Sequence, residues 1–307
     1  MEITGNTFFM DWEVSLMIWL QSHIGSFGEE LAIFFTILGE PVLMFLLLSL
    51  FYLGFDKKYG KYLTVNLFSV CVLGSMLKNI VLRRRPYFDN DEIKCLHPAS
   101  QGDIHDISLQ GYSFPSLHSA TSINFYTSIA RYVKNNALRI VCIIIPFLVG
   151  ISRSIVGVHY PTDVLCGWIF GLLVMLLIDR LNQKLPSTNV VIGIMLVISL
   201  PGFFFCKSTD FYTSWGILAG CLLAFLFEEH HVNFKPAKNV LFLLFRFVLG
   251  VVLALGLEVL LKLPFPNELL ASATTVSFLI RTARYAIIGF VTFGVYPLCF
   301  GKGKIDL

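Results

Sequence analysis

Long apolar runs separated by short polar turns repeat along the whole chain. A helix needs about 20 residues, at 1.5 Å rise each, to cross the hydrocarbon core of a bilayer. On that ruler the pattern predicts nine spans, at residues 31–55, 61–82, 115–133, 138–157, 162–183, 190–206, 211–227, 240–261 and 282–299. The predicted fold class is therefore all-α, a polytopic transmembrane helix bundle. The seventh span is short, and Pro264 and Pro266 set off residues 268–280 as a re-entrant or interfacial piece ahead of the ninth. The first apolar run, 14–20, is too short to cross and is flanked by Asp11, Glu13, Gln21 and His23. With Trp12, Trp19 and Phe27 beside the acids, it predicts an amphipathic helix lying at the membrane interface. Three segments follow: an interfacial N-terminal helix over 1–30, a core of spans over 31–185, and additional C-terminal spans over 186–307.

Composition agrees with the pattern. Of 307 residues, 56% are hydrophobic and 14% charged, against roughly 45–50% and 25% in soluble domains. The net charge of +3 is spread along the chain without a basic block, which argues against a nucleic-acid partner. Five of the seven cysteines, Cys71, Cys142, Cys166, Cys221 and Cys299, lie in apolar runs where a thiol behaves as a small hydrophobe. Only Cys95 and Cys206 stand where a bridge is conceivable.

Loop cations set an orientation. Lys57, Lys58, Lys61, Arg131, Lys134, Arg139, Arg180, Lys184, Lys235, Lys238, Lys302 and Lys304 fall on one side of the nine-span layout. The other side carries Arg83, Arg84, Lys94, Lys207 and Lys262, together with Lys78, Arg85 and Arg153. The bias toward the first side predicts an outward N-terminus and a cytosolic C-terminus. The longest polar connection, about thirty residues over 83–113, then faces away from the cytosol, and a loop of that length in a compact protein is usually functional or disordered.

Candidate chemistry clusters at the ends of spans, where charge is costly unless it has a task. Lys78 and Arg85 are seven residues apart, nearly two helical turns, and Pro86 ends that helix. For Arg83 and Arg84, snorkelling to the head groups explains the charge as well as chemistry does. Lys78 lies a full turn inside an apolar run, where snorkelling explains less. Pro115, Ser116, Leu117 and His118 open the third span; the free N–H groups of a first turn plus a serine hydroxyl form a ready anion site. His118 stands just inside, placed to protonate a leaving oxygen or to serve as a structural histidine. Finally Ser152 and Arg153 precede His159, and Asp163 follows it by four residues. A carboxylate one turn beyond a histidine can hold one imidazole nitrogen and direct the other, or it can simply cap the helix.

Taken jointly, Lys78-x6-Arg85-Pro86, Pro115-Ser116-Leu117-His118 and Ser152-Arg153-x5-His159-x3-Asp163 resemble the three-part signature of the phosphatidic acid phosphatase type 2 superfamily, over roughly residues 61–173. Every family position matches except Leu117, where many members have glycine, a difference of pocket shape. The resemblance implies a metal-free phosphohistidine mechanism with no cofactor. In it His159 attacks phosphorus, Asp163 orients it, and His118 protonates the leaving alkoxide and then activates water. Lys78, Arg85, Ser116 and Arg153 would hold the phosphoryl oxygens, with Ser152 a weaker candidate.

Physical chemistry supports that assignment independently. Phosphoryl transfer spreads charge over three equatorial oxygens that fixed cations stabilise. The same cations would repel a metal dication. A site at the head-group plane suits a lipid phosphate substrate among the surrounding membrane lipids, and Tyr112, Phe114, Leu117 and Tyr160 supply an apolar rim. Two other products remain open within the same chemistry, a sugar phosphate hydrolysed or a phosphoryl group passed to another acceptor. The overall layout is also similar to that of sphingosine-phosphate and glucose-6-phosphatases. Outside that chemistry, an anionic-substrate transporter would use Arg246, Glu258, Arg281 and Arg284 as its polar path.

Overall fold

In the computed structural model, residues 5–237 and 239–300 are described. Three of the cations used for orientation, Lys238, Lys302 and Lys304, lie outside the described residues. The described chain is helical, with one isolated bridge, Asn6 to Arg83, and no β-strand. In order come α1 (Asp11–His23), α2 (Gly25–Leu38), α3 (Pro41–Leu50), α4 (Lys57–Val81), α5 (Pro86–Asp89), α6 (Ile107–Gln110), α7 (Leu117–Tyr132), α8 (Asn136–Ile155) and α9 (Pro161–Lys184). They continue with α10 (Thr188–Ser199), α11 (Gly202–Phe205), α12 (Thr209–Phe227), α13 (Val240–Leu260), α14 (Asn267–Ala271) and α15 (Thr275–Phe290).

Seven described helices are long and apolar enough to cross a membrane. An eighth arises if α2 and the segment Pro41–Phe55 form one span, bent by 48° at its break. The expected nine therefore fall to eight without α7, or to seven if the bent pair is not one span. Helix α7 has 16 residues and buries Ser119, Thr121, Ser122, Asn124 and Ser128, so its length and apolarity both fall short of the other spans. The seventh expected span is longer than predicted, helical over Thr209–Val232. The stretch ahead of the last one is also shorter than predicted. Helix α14 ends at Ala271 and α15 begins at Thr275, capped by the Thr274 hydroxyl, so residues 275–280 belong to the span and not to a re-entrant piece.

Two compact units are present. One comprises Met1–Met44 and Leu73–Leu177, the other Phe45–Val72 and Ile178–Leu307. In the first unit α8 packs against α7, α2 and α1. Helix α9 lies close to α7 because Gly167 and Gly171 face it: a Cβ on Gly167 would come within 2.6 Å of the Ser116 carbonyl oxygen, and one on Gly171 within 2.2 Å of that of Ala120. Small residues four apart permit this backbone approach between membrane helices. The approach brings the start of α7 beside the start of α9, where the Ser116 N–H donates to the Asp163 carbonyl at 3.0 Å. In the second unit α12 packs along α15 and α10.

All seven cysteines are free thiols, Cys95 and Cys206 included. Helix α1 turns Trp12 and Trp19 outward, 48% and 56% exposed, while Glu13 and Met17 are fully buried.

Candidate active site

Helix α4 stops at Val81 because Leu82 adopts a left-handed φ of +56°, a conformation unusual for a residue with a Cβ. The segment that follows is clamped on both sides. Asn6 pairs with the Leu82 carbonyl and the Arg84 N–H, while the Ser113 N–H donates to the Arg83 carbonyl and its hydroxyl to that of Arg84. Lys78 and Arg85 consequently do not share one helix, as their spacing predicts. Lys78 stays in the last turn of α4, and Arg85 stands just before α5. Both are buried and tied to the loop ahead of α7. The Lys78 ammonium donates to the Tyr112 and Ser113 carbonyls, and the Arg85 guanidinium to the carbonyls of Gln110 and Val158.

The helix of the second cluster begins two residues later than predicted. Helix α7 starts at Leu117, with Ser116 as its N-cap accepting from Ser119, so Pro115 lies outside the helix. His118 is half-buried in the first turn, and its Nε2 lies 3.1 Å from Glu40 Oε1. Leu117 does not line a rim. A Cβ on Gly74 would fall 2.3 Å from Leu117 Cδ2, so the leucine packs into the space that a glycine on α4 leaves.

The third cluster spans the end of α8, a tight turn and the start of α9. Gly157 makes the turn with a φ of +83°, and a Cβ there would lie 2.1 Å from the Lys94 carbonyl oxygen. The Arg153 carbonyl accepts from the N–H groups of Val158 and His159, which pins the histidine back toward the arginine. His159 is 2% exposed, and Arg153 is 1% exposed with no hydrogen-bond partner for its Nε and Nη1 atoms. An orphaned buried donor pair is costly. Ser152 is differently employed: its hydroxyl donates to the Val149 carbonyl and meets the Thr36 hydroxyl at 2.9 Å.

Asp163 is fully buried, with each carboxylate oxygen on a different task. Oδ2 accepts from the Tyr160 N–H at 2.9 Å and lies 3.6 Å from His159 Nδ1, beyond hydrogen-bond length. Oδ1 accepts from Arg83 Nη1 at 2.6 Å. Capping and histidine-facing roles thus coexist in one carboxylate.

Arg83 is the functional candidate that sequence reasoning underweighted. It is 2% exposed, so it does not snorkel. Its guanidinium also donates to Glu13 Oε2 at 2.9 Å, the Thr162 hydroxyl at 2.8 Å and the Phe8 carbonyl at 2.8 Å, and it stacks 4.1 Å from the Tyr160 ring. Tyr160, expected at a pocket rim, is therefore buried beneath Arg83 and Phe9. Glu13 completes the cluster by accepting from Thr162 and from the Met10 N–H. Only the pairing of an acid near the N-terminus with a second arginine before Pro86 could have signalled this, and that pairing spans seventy residues.

Burial pushes the His159 imidazole well below its usual titration range, and the charges of Lys78, Arg85, Arg153 and His118 push it the same way. The same interactions show that these five side chains share one electrostatic environment. They comprise three cations and two histidines, which suits a polyanion and favours the neutral form of His159.

Comparison with known proteins shows the family. Residues 58–187 match the PAP2 superfamily, and residues 212–306 match the PAP2 superfamily phosphatase transmembrane extension. The chain is 35% identical over 91 residues to phosphatidylglycerophosphatase B of Bacillus subtilis, covering 27% of this chain and 43% of that protein. It is 31% identical to lipid A 1-phosphatase of Rhizobium johnstonii, over 36% of this chain and 43% of that protein. It is 30% identical to undecaprenyl-diphosphatase of Sulfolobus acidocaldarius, over 44% of this chain and 60% of that protein. The chain thus spans about half the length of these curated relatives. No solved structure matches. With its apolar helices and both family regions, this chain is an integral, multi-pass membrane protein that belongs to the PAP2 superfamily.

Proposed function

We propose that the protein is a membrane phosphatase that hydrolyses the phosphate monoester or diphosphate of a lipid through a phosphohistidine at His159, without metal or cofactor. The observation that carries this reading is Arg153. A fully buried guanidinium with unpartnered Nε and Nη1 atoms, in the environment of His159 and His118, fits a phosphoryl group whose oxygens accept from it. Lys78 and Arg85, anchored to loop carbonyls, add fixed positive charge.

In the first half-reaction the neutral His159 ring attacks phosphorus, and the P–O bond to the alkoxide breaks as His118 gives it a proton. In the second, His118 takes a proton from water, whose oxygen displaces His159 from phosphorus. Asp163 bears on the nucleophile through its 3.6 Å approach and its rigid hold by Arg83 and Tyr160. Ser116 acts through the start of α7, and Ser152 supports the helix more than the phosphate.

The three relatives are named for phosphate or diphosphate groups on different lipids. That favours a lipid over a soluble sugar phosphate. The loop charge bias favours a site on the extracytoplasmic side. A transport path through the C-terminal polar residues finds less support, because most of these polar groups have local partners, Arg284 Nε excepted. Arg284 donates to the Glu258 carbonyl, Lys262 pairs with the Glu258 carboxylate, and Arg246 donates to the Lys235 carbonyl beneath the Phe300 ring.

The test is phosphate release by the detergent-solubilised protein from phosphatidate, phosphatidylglycerol phosphate, polyprenyl diphosphate, sphingosine phosphate and glucose phosphate, with no acceptor added. Release from at least one lipid, retained in EDTA, is the expected result. Turnover only with an added acceptor would make the protein a phosphotransferase.

A further inference from the structure

Glu40 lies outside the region that matches the superfamily, and no role in phosphoryl transfer has yet been given to it. It occupies the break between α2 and α3, where a membrane-length pair of helices bends by 48°. A carboxylate at such a break is costly to place without a task, and interrupted membrane helices commonly present polar groups to a site. The break is held against the catalytic cluster. A Cβ on Gly39 would meet Val149 at 2.5 Å and His118 Cβ at 3.4 Å, and Thr36 on the preceding turn bonds to Ser152. Glu40 Oε1 lies 3.1 Å from His118 Nε2 and 4.0 Å from His97 Nε2, and the charge of Arg153 reaches it as well.

We propose that Glu40 is a positioning residue for the acid–base histidine, its carboxylate holding the Nε2–H of His118 so that Nδ1 is the atom that exchanges protons with substrate. The site then contains two histidine–carboxylate pairs, one for the nucleophile and one for the acid. This inference rests on the phosphatase reading above. In the first half-reaction the Nδ1 proton passes to the departing alkoxide as the P–O bond breaks, and Nε2–H stays on Glu40. In the second, Nδ1 takes a proton from water as the new P–O bond forms and the P–N bond to His159 breaks. Glu40 keeps one ring orientation through both steps, holds the neutral ring between them as its Nε2–H tautomer, and stabilises the imidazolium present before the first step and after the second.

The experiment measures single-turnover phosphoenzyme formation with two substrates, a lipid phosphate with an alkoxide leaving group and 4-nitrophenyl phosphate, whose phenolate departs without a proton. For Glu40→Gln we expect the lipid reaction to slow by about 10- to 100-fold, a part of the roughly 10²–10⁴-fold that general acid–base catalysis contributes, and the nitrophenyl reaction to lose at least tenfold less. His118→Ala should show the same leaving-group dependence more strongly. Equal losses on both substrates, as for a merely structural residue, would overturn the inference. So would no loss, or a gain on both, as when a carboxylate only competes with phosphate for Arg153. If Glu40→Gln is not recovered folded, Glu40→Ala should regain rate on the lipid substrate when formate is added, and absence of that rescue counts against the proposal. Absence of any phosphoenzyme in the unsubstituted protein would instead remove the phosphatase reading itself.

Discussion

Arg83 Nη1 donates to Asp163 Oδ1 at 2.6 Å, while the other oxygen of the same carboxylate faces His159. The position of Asp163 is thus fixed from a different helix end, and Arg83 is fixed in turn by Glu13 of α1. The N-terminal helix is therefore linked to the candidate nucleophile through two charged residues, both essentially inaccessible to solvent.

Removing Arg83 leaves two buried carboxylates uncompensated, a change that typically costs about 3–5 kcal/mol. Arg83→Gln should lower the thermal midpoint of the detergent-solubilised protein by several degrees and reduce turnover. Arg83→Lys should recover little, because an ammonium cannot reproduce a guanidinium that meets Glu13, Thr162 and Asp163 together. A stable, fully active Arg83→Lys protein would show that the cluster is incidental.

The depressed titration of His159 makes a prediction about pH. A group whose folded value is lowered stays deprotonated on acidification until well below the ordinary imidazole value of about 6.5. His159, the proposed nucleophile, is therefore neutral at pH 7 and remains so through about pH 6. Once the ionisation of the substrate phosphate near pH 6 is corrected for, the acid limb of kcat/KM should lie below 6.5. A limb at or above 6.5 would mean that the surrounding cations do not act on His159 as the geometry implies.

In the proposed function Arg153, with its Nε and Nη1 unpartnered, is the phosphate-binding group. Arg153→Lys retains charge but loses the planar pair of donors, and we expect kcat/KM to fall by about 10²–10³-fold, comparable to loss of an oxyanion-hole donor. Steady-state kinetics on one lipid phosphate checks this, and a loss below threefold would move the phosphate away from Arg153.

Much of this was legible in the chain. Hydrophobic run length foretold the helices, and the three separated clusters name residues that the structure brings near one another, because helix ends are where apolar runs meet charge. What local pattern could not carry was partnership at long range. Arg83 reads like Arg84 in sequence, yet one is buried between Glu13 and Asp163 and the other pairs with Asp89 at 3.1 Å. Leu117 and Tyr160 read as a rim but fill space against Gly74 and Arg83. Helix α7 was expected to be an ordinary span, although its polar residues reflect burial among neighbours.

Sidedness is tested by placing a single reporter in the 83–113 connection. With Cys95 replaced, a cysteine substituted for the half-buried Ser100 should react with an impermeant thiol reagent in intact cells. Labelling only after permeabilisation would place the site in the cytosol.

Tail dependence tests the substrate class. A phosphate held at a membrane surface by Lys78, Arg85 and Arg153 leaves lipid chains in hydrocarbon. Long-chain lipid phosphates should then exceed glucose phosphate at least tenfold in kcat/KM, about 1.4 kcal/mol of tail-dependent transition-state binding. Equal efficiency in the same detergent would favour a sugar phosphatase.

The central claim, covalent catalysis at His159, is tested most directly by trapping the phosphoenzyme. The protein is mixed with a ³²P-labelled lipid phosphate, quenched in alkali to preserve phosphohistidine, and the labelled peptide is sequenced. The account predicts label on His159, formed in EDTA and absent from His159→Ala protein that remains folded. Label on another residue, or turnover that persists in His159→Ala, would contradict it.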